Sequence, residues 1–194
     1  MPRYEIRWHG RGGQGTVTAA EMLAEAAIEE RKYALAFPEY GAERRGAPVL
    51  AFTRIDDAPI LEREPILEPN IVVVLDSLLT PDIYLKGLKK DGIVIINTAR
   101  SPEDVARHIR EYGMEPPERI AVVDATNIAL KWLNAPIVNT AMLGALVRAT
   151  GVVSLETISR VVYNRFSPRS SRLAEANVSA VKEAYENVKV AKIG

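Results

Sequence analysis

Apolar and polar positions alternate over Tyr4-Glu5-Ile6-Arg7-Trp8-His9, which predicts a strand with one buried face. The period then changes. From Val17 onward, Ala19, Ala20, Leu23, Ala26 and Ala27 recur at helical spacing, and Glu21, Glu25 and Glu29 fall on the other side. Tyr33-Ala34-Leu35-Ala36-Phe37 reads as a second strand stopped by Pro38, and residues 48–55 as a third, followed by an Asp56-Asp57 turn. No helix separates these two strands, so part of the sheet is expected to be antiparallel or mixed. The continuous apolar runs Ile71–Leu75, Ile93–Ile96 and Ile120–Val123 predict fully buried strands, with a short helix within residues 81–88. Ser101-Pro102-Glu103-Asp104 marks another helix start, with Pro102 at the first helical position. The last third is predicted helical over 126–133, 139–150, 154–166 and 170–189, with Asn139 and Ser154 as N-caps and Gly151 as a stop. In the final helix Ala174, Val178, Val181, Tyr185 and Val188 form a stripe expected to pack on its own domain. The expected fold is one three-layer α/β/α domain over residues 1–194, its sheet mostly parallel but mixed, with a Rossmann-like glycine loop after the first strand.

That loop is Gly10-Arg11-Gly12-Gly13-Gln14-Gly15-Thr16, set between the first strand and the alanine-rich helix. A helix start exposes unpaired N–H groups at the positive end of the dipole, where phosphate binds readily. Glycine lets a phosphate approach that backbone, so the loop points to a phosphate-rich ligand or a nucleotide-like cofactor. A tight turn whose glycines only let the helix pack on the sheet is the structural alternative. Thr16 is then a helix-start residue whose hydroxyl caps an N–H.

Composition narrows the chemistry. The 25 basic and 25 acidic residues balance, which disfavours a sequence-independent nucleic-acid binder. The absence of cysteine excludes disulfides, thiolate-held clusters or zinc, and a cysteine nucleophile within this chain. With no apolar run near ~18 residues, no membrane span is expected, and the location is cytoplasmic by default.

No catalytic constellation stands out. His9 ends the first strand beside the loop and is expected to bond backbone; His108 lies among Arg107 and Arg110 in a charged, solvated helix. The pairs Asp56-Asp57 and Glu103-Asp104 read as a turn and a helix start, so no metal site is expected. Asp76 and Asp124 stand at strand ends, where they either orient a ligand or form turns and caps. The segment Glu39–Gly46 carries Tyr40, Glu43, Arg44 and Arg45 between Pro38 and Pro48; its arginine forks suit phosphates, carboxylates or an interface.

Taken together, Gly10 to Thr16, the run Phe-Pro-Glu-Tyr-Gly-Ala-Glu-Arg-Arg-Gly-Ala-Pro-Val from 37, and Asn139-Thr140-Ala141-Met142-Leu143-Gly144-Ala145-Leu146 resemble the gamma subunit of 2-oxoacid:ferredoxin oxidoreductases. Asn177 and Ala180 fit the same C-terminal pattern. The resemblance implies an enzyme that turns a 2-oxoacid, pyruvate foremost, and coenzyme A into acyl-CoA and CO₂ while passing two electrons to ferredoxin. It implies that thiamine diphosphate, Mg²⁺ and [4Fe-4S] clusters lie on alpha, beta and delta subunits. It assigns this chain coenzyme A phosphates at Gly10, Arg11, Gly12, Gly13, Gln14, Gly15 and Thr16. It places Tyr40, Glu43, Arg44 and Arg45 at a subunit boundary, and gives this chain neither a tightly bound cofactor nor a catalytic residue. Asn139 and Gly144 are expected to serve capping and close packing.

Two other functions remain open on the residues. A nicotinamide or flavin dinucleotide enzyme predicts an acid on the ribose near the end of the second strand, for which Glu39 is the nearest fit. A purely structural subunit keeps the glycine turn for packing alone.

Overall fold

Strand β1 (Tyr4–Arg11) is paired on both edges, and its alternating side chains send Ile6 and Trp8 to one face of the sheet. In the computed structural model, which describes residues 3–39 and 48–193, it is joined by β2 (Tyr33–Pro38), β3 (Pro48–Asp56), β4 (Ile71–Val74), β5 (Ile93–Asn97), β6 (Arg119–Val123) and β7 (Lys189–Lys192). The order across the sheet is β2-β3-β1-β4-β5-β6-β7. The β1–β4, β4–β5 and β5–β6 pairs are parallel; β3 runs antiparallel to β1 and β2, and β7 antiparallel to β6. The predicted mixed, mostly parallel sheet is therefore present, its antiparallel pairs confined to the flanks.

The helices are α1 (Thr16–Glu29), α2 (Pro81–Tyr84), α3 (Pro102–Glu111), α4 (Ala125–Leu133), α5 (Asn139–Thr150), α6 (Leu155–Phe166) and α7 (Ser171–Asn187). Ile6 and Trp8 of β1 join one apolar core with α1 and α4 to α7, while α2 and α3 pack Tyr84, Leu85, Val105 and Ile109 on the opposite face of the sheet. Trp8 Nε1 donates to Thr53 Oγ1 at 3.0 Å, and that hydroxyl donates to the Ala20 carbonyl at 3.1 Å, locking β1, β3 and α1 together. The final stripe packs inward as expected: Ala174 and Val181 are fully buried and Val178, Tyr185 and Val188 lie against the same core.

Caps follow the sequence in part. Ser101, Ser154 and Ser170 each accept from the N–H three residues on, and Gly151 ends α5 in the left-handed region. The short helix expected within residues 81–88 is present over Pro81–Tyr84. Two expectations need correction. Asn139 is the first residue of α5, not its N-cap; its Oδ1 accepts from the Thr140 N–H at 2.9 Å. The final helix stops at Asn187, because the chain turns extended and adds β7 to the sheet edge.

Chain direction now locates the crevice. After β1 the chain passes to α1 on one face, and after β4 to α2 on the other. A sheet whose connections diverge in this way opens a gap beyond the carboxyl ends of the two strands, where ligands of such folds bind.

Candidate functional site

Arg11 is the last residue of β1 and Thr16 the first of α1, so the loop lies directly on that crevice. Gln14 closes it twice. Its N–H donates to the Arg11 carbonyl at 3.1 Å, and its Oε1 accepts from the Arg11 N–H at 2.8 Å. Gly13 (φ +95) is exposed, and a Cβ there would meet nothing within 4 Å. Gly15 (φ +78) is the N-cap of α1 and supplies no side-chain acceptor, and the first turn holds no acid. The leading N–H groups of α1 thus have no capping side chain among the described residues and form the positive dipole end of a 14-residue helix.

The glycines do not all clear room for a ligand. A Cβ on Gly10 would fall 2.0 Å from Thr16 Oγ1, and one on Gly15 would fall 2.4 Å from Asn139 Nδ2. Those two positions are small because protein atoms occupy the space; Gly13 alone of the three is open. The capping role read for the Thr16 hydroxyl is also corrected: Thr16 Oγ1 is sealed and has no hydrogen-bond partner among the described residues, because Gly15 takes the cap position.

Across the crevice, Arg11 Nε donates to Asp76 Oδ2 at 2.5 Å. Asp76 follows β4, its side chain is 4% exposed, and its Oδ1 also accepts from the Leu78 N–H at 3.1 Å. Asp76, which its strand-end position suits to a ligand or a turn, forms the turn and pairs with the loop as well. Asp124 caps α4 by accepting from the Asn127 N–H at 3.1 Å. Between them, buried Asn97 donates to the Leu75 carbonyl and Thr126 Oγ1 and accepts from the Thr126 N–H, tying the ends of β4, β5 and β6. Beyond these strand ends lies a cavity of about 520 Å³ that includes Asp76, Asn97, Thr98, Asp124 and Thr126 in its wall.

His9 does not bond backbone as expected. Its Nε2 accepts from Arg7 Nε at 3.0 Å, which leaves the ring proton on Nδ1. Burial first, and the neighbouring Arg7 charge second, push the His9 pKa down to about 3. Arg7 is held by the Tyr84 and Lys86 carbonyls, and burial lowers its pKa as well. Neither group is poised for proton transfer near neutrality.

The late motif is packing. Thr140 Oγ1 donates to Asn177 Oδ1 at 3.0 Å, joining α5 to α7, and Asn177 donates back to the Leu173 carbonyl. A Cβ on Gly144 would fall 2.0 Å from the Val181 carbonyl oxygen, so only glycine lets these helices approach so closely. Asp56 accepts from the Asp57 N–H as the predicted turn requires, and Asp104 bonds Ser101 and Arg107. His108 packs edge-on against Tyr112. No metal-ligand cluster occurs among the described residues. No helix among them is long and apolar enough to cross a membrane. Tyr40, Glu43, Arg44 and Arg45 lie outside the described residues.

Comparisons with known proteins agree with this geometry. Residues 5–187 match the family model described as pyruvate ferredoxin/flavodoxin oxidoreductase. The chain is 51% identical over 190 residues to the pyruvate/ketoisovalerate oxidoreductases common subunit gamma of Pyrococcus abyssi, covering 97% of this chain and 99% of that protein. It is 47% identical over 187 residues to pyruvate synthase subunit PorC of Thermotoga maritima, covering 96% and 95%. The crystal structure of the T. maritima pyruvate oxidoreductase subunit PORC superposes with a TM-score of 0.84 at 45% identity, over 99% of this chain and 100% of that one. A 2-oxoglutarate:ferredoxin oxidoreductase from Magnetococcus marinus shares the fold, with a TM-score of 0.76 at 14% identity, over 96% of this chain and 31% of that one.

Proposed function

The chain belongs to the pyruvate ferredoxin/flavodoxin oxidoreductase family, and on that premise we propose that it works as the gamma subunit of a multisubunit 2-oxoacid:ferredoxin oxidoreductase. Pyruvate is the first substrate to test, since the relatives above carry pyruvate in their names. The complex makes acyl-CoA and CO₂ and passes two electrons to ferredoxin. Thiamine diphosphate, Mg²⁺ and [4Fe-4S] clusters belong to the alpha, beta and delta subunits, which supply the bond-breaking chemistry. The whole chain, residues 1–194, acts as one gamma-type unit in the cytoplasm, and Tyr40, Glu43, Arg44 and Arg45 belong to a subunit boundary.

This chain's contribution is to hold coenzyme A by its diphosphate. One observation carries that reading: α1 begins at a positive-φ glycine with no side-chain cap among the described residues, near an exposed Gly13 over which a Cβ would meet nothing within 4 Å. Two negative phosphates satisfy the leading N–H groups of such a helix and are favoured by its dipole. Gly12, Gly13, Gly15 and Thr16 contribute backbone, whereas Gln14 shapes the loop and Gly10 makes room for Thr16. Asp76 holds Arg11 by its Nε, so the rest of the guanidinium, on a side chain 41% exposed, is left to face the crevice. β2 pairs antiparallel with β3, which argues against the dinucleotide-enzyme reading, whose β–α–β unit needs parallel strands there.

The test is purification of the complex through this chain, followed by 2-oxoacid-dependent dye reduction with and without coenzyme A. Co-purifying thiamine and iron–sulfur subunits with coenzyme A-dependent reduction bear the proposal out. A chain that purifies alone and supports no oxoacid reaction contradicts it.

A further inference from the structure

Strand β2 lies at the outer edge of the sheet, and none of its residues is buried. The parity of its ladder with β3 decides which backbone groups are left over. Glu39, one residue beyond β2, donates its N–H to the Leu50 carbonyl at 2.9 Å and continues the same register. Residues of an antiparallel pair alternate, so Tyr33, Leu35 and Phe37 bond β3, while Ala34, Ala36 and Pro38 turn their backbone groups outward. Pro38 accordingly stands where a missing N–H costs the ladder nothing. Ala34 and Ala36 each present a donor and an acceptor that no strand among the described residues meets. The opposite edge is guarded: β7 is four residues long, with Lys189 and Lys192 at its ends. β2 has no charged side chain over Tyr33–Pro38. An open, uncharged edge of this kind takes up another strand.

We propose that this edge docks a second copy of the chain, β2 against β2, so that one sheet runs through both copies. The edge matches itself. With a two-fold axis at Leu35, an antiparallel copy sets Ala34 opposite Ala36 on both sides of the axis, and every outward N–H and C=O of these alanines finds a partner. Pairing stops at both ends for want of a donor: Pro38 falls opposite Lys32, whose N–H is already given to the Ala27 carbonyl. Ala34 and Ala36 pack towards the α1 side of the sheet, so Tyr33, Leu35 and Phe37 share the other face. There Leu35 meets Leu35 and Tyr33 meets Phe37, in the closer non-hydrogen-bonded pairs where aromatic neighbours stabilise a sheet. Tyr33 is 49% exposed, and Phe37 is held against Phe52 with ring centres 5.2 Å apart. Charge agrees with the same register. Arg31 of one copy falls opposite Glu39 of the other; both are exposed, and neither forms an ion pair among the described residues. The pairing is argued from this chain alone and does not depend on where coenzyme A sits.

The chain has no cysteine, so one introduced thiol per copy reports the contact. Opposed residues of a non-hydrogen-bonded pair have Cα atoms about 4.5 Å apart, within reach of a disulfide. In the assembled complex, Leu35→Cys is expected to link this chain to a second copy of itself under oxidised glutathione, read as a band of doubled mass on a non-reducing gel. Val190→Cys on β7, 43% exposed, is the control and is expected to stay unlinked. Adding Arg31→Glu to Leu35→Cys is expected to slow linking at least about threefold at low salt. Adding Glu39→Arg as well is expected to restore the rate to within about twofold. No link at position 35, equal linking at 190, or a rate indifferent to the charge exchange overturns the pairing. So does a link from position 35 to a companion subunit, which would assign the edge to another chain's strand.

Discussion

Arg11 and Asp76, 65 residues apart, meet at 2.5 Å across the gap between β1 and β4 and fix the glycine loop to the opposite wall of the crevice. Because Asp76 is almost fully buried, the pair is a positioning device as well as a charge. Arg11→Ala removes a cation near phosphate and strands a buried carboxylate, two effects that a paired substitution separates. We expect Arg11→Ala to raise the apparent KM for coenzyme A several-fold, more at low salt, with kcat little changed. It also lowers stability by about 1–3 kcal/mol. Adding Asp76→Asn should restore the melting temperature but not the KM. Recovery of both in the double variant would show that the loop needs the bridge and not the cation.

Thr16 gives a control of opposite sign. Its hydroxyl is buried and without a partner among the described residues, so Thr16→Val deletes an unsatisfied group while keeping shape and backbone. Stability should rise by about 1–2 kcal/mol, and the KM for coenzyme A should stay within twofold. Thermal melts with parallel coenzyme A titrations read both. A marked rise in KM would mean that the hydroxyl, and not only the backbone, meets the ligand.

The glycines predict a graded series of melting temperatures. Gly144→Ala drives a Cβ to 2.0 Å from the Val181 carbonyl oxygen, where neither α5 nor α7 can yield without losing contact, and should cost more than about 3 kcal/mol. Gly113→Ala meets open space and carries only the strain of a φ of +79, about 1 kcal/mol. Equal losses at the two positions would contradict the close approach of α5 and α7.

Acid sensitivity should come from His9 before any surface carboxylate. The folded protein keeps His9 neutral down to about pH 3, whereas in the unfolded chain it protonates near its ordinary 6.5. The unfolded state then binds the extra proton, so stability falls as pH drops from 6.5 towards 3. Glu30 adds a later loss. Bonds from Lys32 and Ser154 outweigh its burial and hold its pKa at about 2, so its contribution is full above about 4.5 and fades below. In His9→Gln, denaturant midpoints between pH 6.5 and 5 should flatten. An unchanged slope would place the titrating group elsewhere.

Much of this architecture was legible because it is local. The period change at Val17 marks α1, Ser154 and Gly151 mark helix ends, and the apolar runs at 71, 93 and 120 are the parallel centre of the sheet. What could not be read depends on distant chain. Lys189-Val190-Ala191-Lys192 has no buried pattern of its own and becomes β7 only because β6 offers an open edge. The need for glycine at position 10 comes from Thr16, whose Oγ1 would meet a Cβ there, and Asn139 is no cap because its amide fills the space over Gly15.

The most direct measurement is equilibrium binding of coenzyme A to the assembled complex carrying Gly12→Val in this chain, beside the wild type. The valine sets a branched side chain at the mouth of the loop, where phosphate must reach backbone N–H groups. With assembly and melting temperature unchanged, affinity is expected to fall at least tenfold. Wild-type affinity in that variant would contradict a phosphate-holding loop and leave its glycines a packing role alone.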